Sequence, residues 1–91
     1  MSELETGIAA ILAERGKTHG EYSEHARITQ NIKGIMLDTG GVSNWQRLNA
    51  IQRESLEMIA HKIGRILAGD PNVRDHWVDI AGYAQLVADR V

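Results

Sequence analysis

The sequence predicts an all-α protein of four helices forming a single bundle-like domain. Three observations lead there. Apolar residues recur at helical intervals along the chain, alternating by three and four in the last two patterns and least regularly in the second. Capping signals at Ser2-x-x-Glu5, Thr18-x-x-Glu21 and Asn49-x-x-Gln52 precede three of the four apolar patterns. No alternating apolar run lies between hairpin turns, so strand signals are missing.

The first helix is predicted over residues 2–15, with Leu4, Ile8, Ile11 and Leu12 as its stripe and Gly16 as the residue that ends it. The second, over 19–37, carries Tyr22, Ile28, Ile32, Ile35 and Met36, and Asp38-Thr39-Gly40-Gly41 stops it. Between Val42 and Leu48 the chain has room for one helical turn capped by Ser43, with Trp45 as a buried plug against the bundle. The third helix, 49–68, starts at Asn49 and closes at Gly69. Its seam is Leu56, Ile59, Ile63 and Ile66, with Leu67 on the same side. Asp70-Pro71 starts the fourth element, 72–90, whose stripe is Val73, Trp77, Ile80, Ala84, Val87 and Val91.

Composition narrows the partners. At 91 residues the chain is near the small end for a domain that folds alone. It has no cysteine, so neither disulfides nor a Cys-rich zinc site supplements its core, and self-association is the expected supplement, as a dimer or tetramer. The net charge of −2 and ten scattered Lys and Arg residues argue against a nucleic-acid polymer or an anionic membrane as partner. No apolar run approaches the roughly 18 residues of a membrane span. The first sixteen residues have acids within their apolar stretch and lack a basic leader, which together with the missing cysteines predicts a cytoplasmic protein.

The chemistry-bearing residues gather on the last two helices. At about 100° per residue, Glu54, Glu57, His61 and Arg65 share one stripe of the third helix, with Lys62 at its edge. Asp75, Asp79 and Tyr83 share one of the fourth, with His76 alongside and Gly82 leaving room for a ligand. Carboxylates at such spacings suit a hard cation such as Mg²⁺ or Mn²⁺ bridging phosphate oxygens, and Lys62 or Arg65 could meet those oxygens. The same spacings also describe a salt-bridged solvent face, with Asp75 there to favour a helix start.

A resemblance bears on that choice. Glu54-x-x-Glu57, followed one helix and turn later by the acid-containing DHWVDIAGYA, resembles the all-α nucleoside triphosphate pyrophosphohydrolases of the MazG-like superfamily. KIGRILAGDP…DHWVDIAGYA looks most like its small phage- and prophage-type members of unknown function. The resemblance spans roughly residues 50–90. It implies a Mg²⁺ site (Mn²⁺ a possible substitute) built from E-x-x-E and E-x-x-D motifs, cleavage of a nucleotide to a monophosphate and pyrophosphate, and a bundle assembled from several subunits. By position, Glu54 and Glu57 match the first motif and Asp79 the last acid of the second. His76 stands where the family has Glu, so either His76 or Asp75 completes the set. The departure keeps a second reading open: a catalytically degenerate helical oligomer that binds a nucleotide or a host protein.

Other motifs carry less. Gly16-Lys17-Thr18 lacks the upstream glycine of a P-loop and no strand precedes it, although Lys17 and His19 could approach a nucleotide from there. Tyr83 either packs with its hydroxyl bonded or touches a sugar or base. Glu21, Glu24, His25, Glu57 and His61 raise a di-metal carboxylate bundle, but the Glu-x-x-His motif of that class is missing.

Overall fold

A computed structural model describes residues 2–38 and 44–91. Four α-helices account for most of them: α1 (Glu3–His19), α2 (Tyr22–Met36), α3 (Ala50–Ala68) and α4 (Arg74–Ala88), with a single 3₁₀ turn at Trp45–Arg47. Among the described residues there is no strand.

The helix starts follow local chemistry. Ser2 Oγ accepts from the Glu5 amide at 3.1 Å. Asn49 and Gln52 form a reciprocal capping box at 2.9 Å in each direction. The expected cap at Thr18 is corrected. Thr18 lies inside α1, its hydroxyl donating to Arg15 O, and α2 is capped by the Glu21 carboxylate, which accepts from the Glu24 amide.

Gly16 is likewise not a stop. A helix tolerates an interior glycine for about 1 kcal/mol, and α1 runs through it to Gly20, whose φ of 78° is the left-handed conformation that ends the helix. The α4 start also moves. Asp70 Oδ1 accepts from the Asn72 amide within the turn, and Trp77 Nε1 donates to Pro71 O at 2.8 Å, so helical geometry begins only after Val73. Residues 39–43, which include the expected Thr39–Gly41 stop and the Ser43 cap, lie outside the described residues. Trp45 is half-buried, with the Arg53 guanidinium 5.9 Å above its ring and Arg53 Nε donating to Trp45 O.

The helix α3 is the centre of the fold. Both α2 and α4 pack along it, on either side, and scarcely touch one another. Lys33 of α2 pairs with Glu57 and His25 with the His61 carbonyl, so α2 runs antiparallel to α3. Lys62 pairs with Asp79 and Glu54 shares a cleft with Tyr83, so α4 is antiparallel too. The crossing of α2 and α3 is closest at Gly64, where a Cβ would stand 2.6 Å from His25 Cδ2 and closer still to Thr29 Oγ1. Only a glycine admits that approach.

This is an open layer with α1 attached at one end. The turn after α1 meets the turn after α3, with Gly20 against Gly69, and Asp70 N donates to Thr18 O at 3.3 Å. No residue of α1 is buried, and Leu4, Ile8, Ile11 and Leu12 are all exposed. The expected α3 seam is only partly closed: Ile66 is buried, Ile59 and Ile63 are half-buried, and Leu67 is 65% exposed. The reason is geometric, since the seam faces the side of α3 that neither flanking helix covers. Ala60 and Ile66 are the only buried apolar residues described.

Shape says the same. The radius of gyration is 15.8 Å, against about 12 Å for a compact chain of this length. The accessible surface is 6581 Å², against roughly 5,300 Å² for a monomer of this mass. No described helix is long and apolar enough to cross a membrane.

Candidate functional site

Antiparallel packing of α4 on α3 puts the two acid-bearing stripes at matching heights. Glu54 is exposed and lines a shallow cleft of about 360 Å³ with Tyr83 and Arg90. One turn along, Glu57 Oε1 lies 3.9 Å from Lys33 Nζ, and Asp79 Oδ2 lies 3.0 Å from Lys62 Nζ. Lys62 is 7% exposed. A buried ammonium needs a counter-charge, and Asp79 supplies it. A Cβ on Gly82 would meet open space, so that glycine adds no constraint here.

The remaining expected ligands lie elsewhere. Asp75 is exposed in the first turn of α4. His76 is 2% exposed and turned to α1, its Nε2 donating to Thr18 O at 3.2 Å and its ring edge-on to His19 at 5.0 Å. It serves as an interior anchor. Among the described residues no three His, Asp or Glu side chains gather as metal ligands would. The donors have the right chemistry for a hard cation, but within one chain two of the carboxylates face lysines instead of each other. The expected grouping of Glu54, Glu57, Asp79 and one of Asp75 or His76 is therefore not assembled in the single chain.

The expected phosphate-binding pair also separates. Lys62 stays with Asp79, whereas Arg65 turns to a cavity of about 580 Å³ in the elbow between α1 and α2. Arg15, His19, Glu21, Tyr22 and His25 line it too. Lys17 is not part of it; it is exposed and paired with Glu14 at 3.2 Å. The carboxylates and histidine of the di-metal alternative do not converge, because Glu21 caps α2, Glu24 pairs with Arg27, and His25 Nε2 donates to the His61 carbonyl.

All four histidines cluster where the elbow meets α3. His25 and His61 stand 5.6 Å apart, edge to face. Burial lowers the pKa of His25, with Arg65 and Lys62 adding to the effect against the hydrogen bond to His61 O. Burial lowers that of His61 as well, followed by the charge of Lys33. His19 is lowered by burial and then by Arg65. The elbow was invisible to helical periodicity, which groups residues on one helix. A signal was present in the basic and aromatic content of RGKTHGEYSEH, but nothing in the spacing connected it to Arg65.

Over residues 3–91 the chain matches the model of a family described as a domain of unknown function, DUF6378. No curated protein and no solved structure matches it.

Proposed function

The chain belongs to the DUF6378 family, and we propose that it is an all-α nucleotide pyrophosphohydrolase of MazG-like type that works as a homo-oligomer. It would convert a nucleoside triphosphate to the monophosphate and pyrophosphate with Mg²⁺ or Mn²⁺. The observation that carries the reading is that antiparallel α3 and α4 bring Glu54 and Asp79 to neighbouring turns with Lys62 between the helices, while Glu57 follows Glu54 by one turn on the side of α3 that faces α2. Glu54 and Tyr83 bound an open cleft, and a second copy laid over this layer would close it. The exposed Ile51 and Leu86 that line the cleft supply an apolar reason for that second copy.

Each residue has a task in this reading. Asp79 holds the Lys62 ammonium between the helices, and an arriving polyphosphate offers that ammonium a competing anion. Lys33 does the same for Glu57. Both carboxylates would then be freed from their lysines.

Incubation with a panel of NTPs and dNTPs and either cation tests the reading. Pyrophosphate release is expected, and it should fall by at least about two orders of magnitude in Glu57→Gln and Asp79→Asn. No release from any nucleotide at high protein concentration would sink it.

One observation favours a second reading. His76, at the position of the Glu in the MazG-like pattern, is committed to the interior and leaves the second motif with one acid. A degenerate member would bind a nucleotide or a host protein without turnover. It predicts a higher melting temperature with nucleotide and no product.

A further inference from the structure

The elbow cavity lies apart from the acidic face and has the opposite character. Its walls come from three helices: Leu12, Arg15 and His19 from α1, Tyr22 and His25 from α2, and Arg65 from α3. Its volume of about 580 Å³ falls within the range of small-molecule sites. Among the described residues neither Arg15 nor Arg65 has a carboxylate partner, whereas Lys17, Arg27, Lys33 and Lys62 each have one. Arg65 lines the cavity together with His19 and His25, and its charge adds to the lowering of both imidazoles.

One acid touches the cavity, and it is engaged. The Glu21 carboxylate accepts from Ser23 Oγ and from the Glu24 amide at 3.1 Å at the start of α2. The chain thus sets one anion beside two guanidinium groups and leaves those groups unneutralised. Leu12 and Tyr22 add apolar surface to the lining. Tyr22 is 78% exposed, with its ring edge-on to His25 at 6.2 Å.

We infer that the α1–α2 elbow is a binding site for a nucleoside monophosphate, with Arg15 and Arg65 holding the phosphate and Tyr22 and Leu12 carrying the base. Two forked guanidinium groups on separate helices suit a phosphate dianion better than a point charge would. The exposed tyrosine face and the leucine give the base an apolar surface to lie on. The site needs no metal, and it stands independently of the reaction proposed for the acidic face. Filling it would also add a tie between α1 and α3 beyond the joint at Thr18.

Calorimetric titration in the presence of EDTA tests this on the full chain, with inorganic phosphate, ribose 5-phosphate and the common ribo- and deoxyribonucleoside monophosphates as probes. Saturable binding of at least one monophosphate is expected without divalent metal. Arg15→Gln, an exposed position that leaves the fold intact, should weaken it about tenfold or more. Tyr22→Ala should weaken monophosphate binding while leaving inorganic phosphate unchanged. Glu21→Gln keeps an acceptor for the α2 cap but removes the charge, and should tighten binding several-fold; a purely structural Glu21 would not. Lys17→Gln, outside the cavity, should leave binding as it is. The inference fails if no probe saturates in EDTA, if binding appears only with a divalent cation, or if Arg15→Gln and Lys17→Gln behave alike. Equal affinity for inorganic phosphate and every monophosphate would overturn the assignment of the base.

Discussion

The imidazole Nε2 of His76 donates to the carbonyl oxygen of Thr18 at 3.2 Å, fastening the start of α4 to the end of α1. Asp70 N donates to the same oxygen. His76 is a structural joint between the two helices. Its donor is matched to a carbonyl that the end of α1 leaves without a helical partner.

Substitutions at His76 therefore separate structure from catalysis. His76→Gln keeps a donor of similar reach and should cost about 1 kcal/mol or less. His76→Glu places, when ionised, only acceptors in a buried position against the Thr18 carbonyl and should cost about 3 kcal/mol. Urea unfolding at pH 7.5 measures both. An acid at position 76 is not expected to create metal affinity, because the side chain there is 2% exposed and bonded to the end of α1. Mn²⁺ binding gained by His76→Glu would refute this account of the joint.

Gly64 predicts a second, sharper effect. An added methyl would overlap Thr29 Oγ1 and come within 2.6 Å of His25 Cδ2, so Gly64→Ala should destabilise by about 2 kcal/mol despite its better helix propensity. Thr29 Oγ1 is itself buried without a hydrogen-bond partner. Removing it in Thr29→Ala frees space and relieves an unmade bond. The double variant Gly64→Ala/Thr29→Ala should regain at least half of the loss, and a double-mutant cycle reads the coupling directly.

The helix-level organisation was legible because it is local. Ser2 and the Asn49–Gln52 box cap helices where their spacing indicated, and Gly69 follows α3 as expected. Gly16 misled because a glycine inside a helix and one beyond its end look alike in sequence; φ at Gly20 distinguishes them. The acidic stripe was legible as a set of residues, but its electrostatics were not. Lys33 and Lys62 reach Glu57 and Asp79 from other helices, at sequence distances that no periodicity encodes. Trp77, read as part of the buried stripe of α4, is 54% exposed because its indole is held by Pro71 O in the turn.

Stability should fall as the solution is acidified through the histidine range. His19, His25 and His61 all have pKa values below the ordinary 6.5, chiefly through burial. Above 6.5 they are neutral in both folded and unfolded chains, and their contribution is fully present. Below it the unfolded chain takes up protons first, so the folded state loses ground until the depressed folded values are passed. Urea midpoints from pH 8 to pH 5 should decline, starting near 6.5 and well above the range where carboxylates titrate. His25→Gln, which can still donate to the His61 carbonyl, should make that decline shallower. A flat profile down to pH 5 would show that the three rings are not held neutral.

Self-association is the last expectation and the one on which the acidic-face reading leans. Leu4, Ile8 and Ile11 form a stripe along α1 that is 73%, 48% and 60% exposed. Leu56 and Leu67 extend an apolar face on α3. With only Ala60 and Ile66 buried among the apolar residues described, one chain secures little hydrophobic stabilisation against the entropy of ordering it. A second copy that covered both faces would bury much of that surface, at roughly 25 cal/mol for each Å². Sedimentation velocity at tens of micromolar should report a dimer or tetramer rather than a 10.1 kDa particle. Ile11→Asp and Leu67→Asp place charges on the two faces without touching a buried residue, so each should shift the population toward monomer and lower the melting temperature. If both variants and the parent sediment alike as monomers, each chain must stand on its own open layer. The cleft beside Glu54 and Tyr83 would then have no second wall, and catalysis on the acidic face would lose its main support.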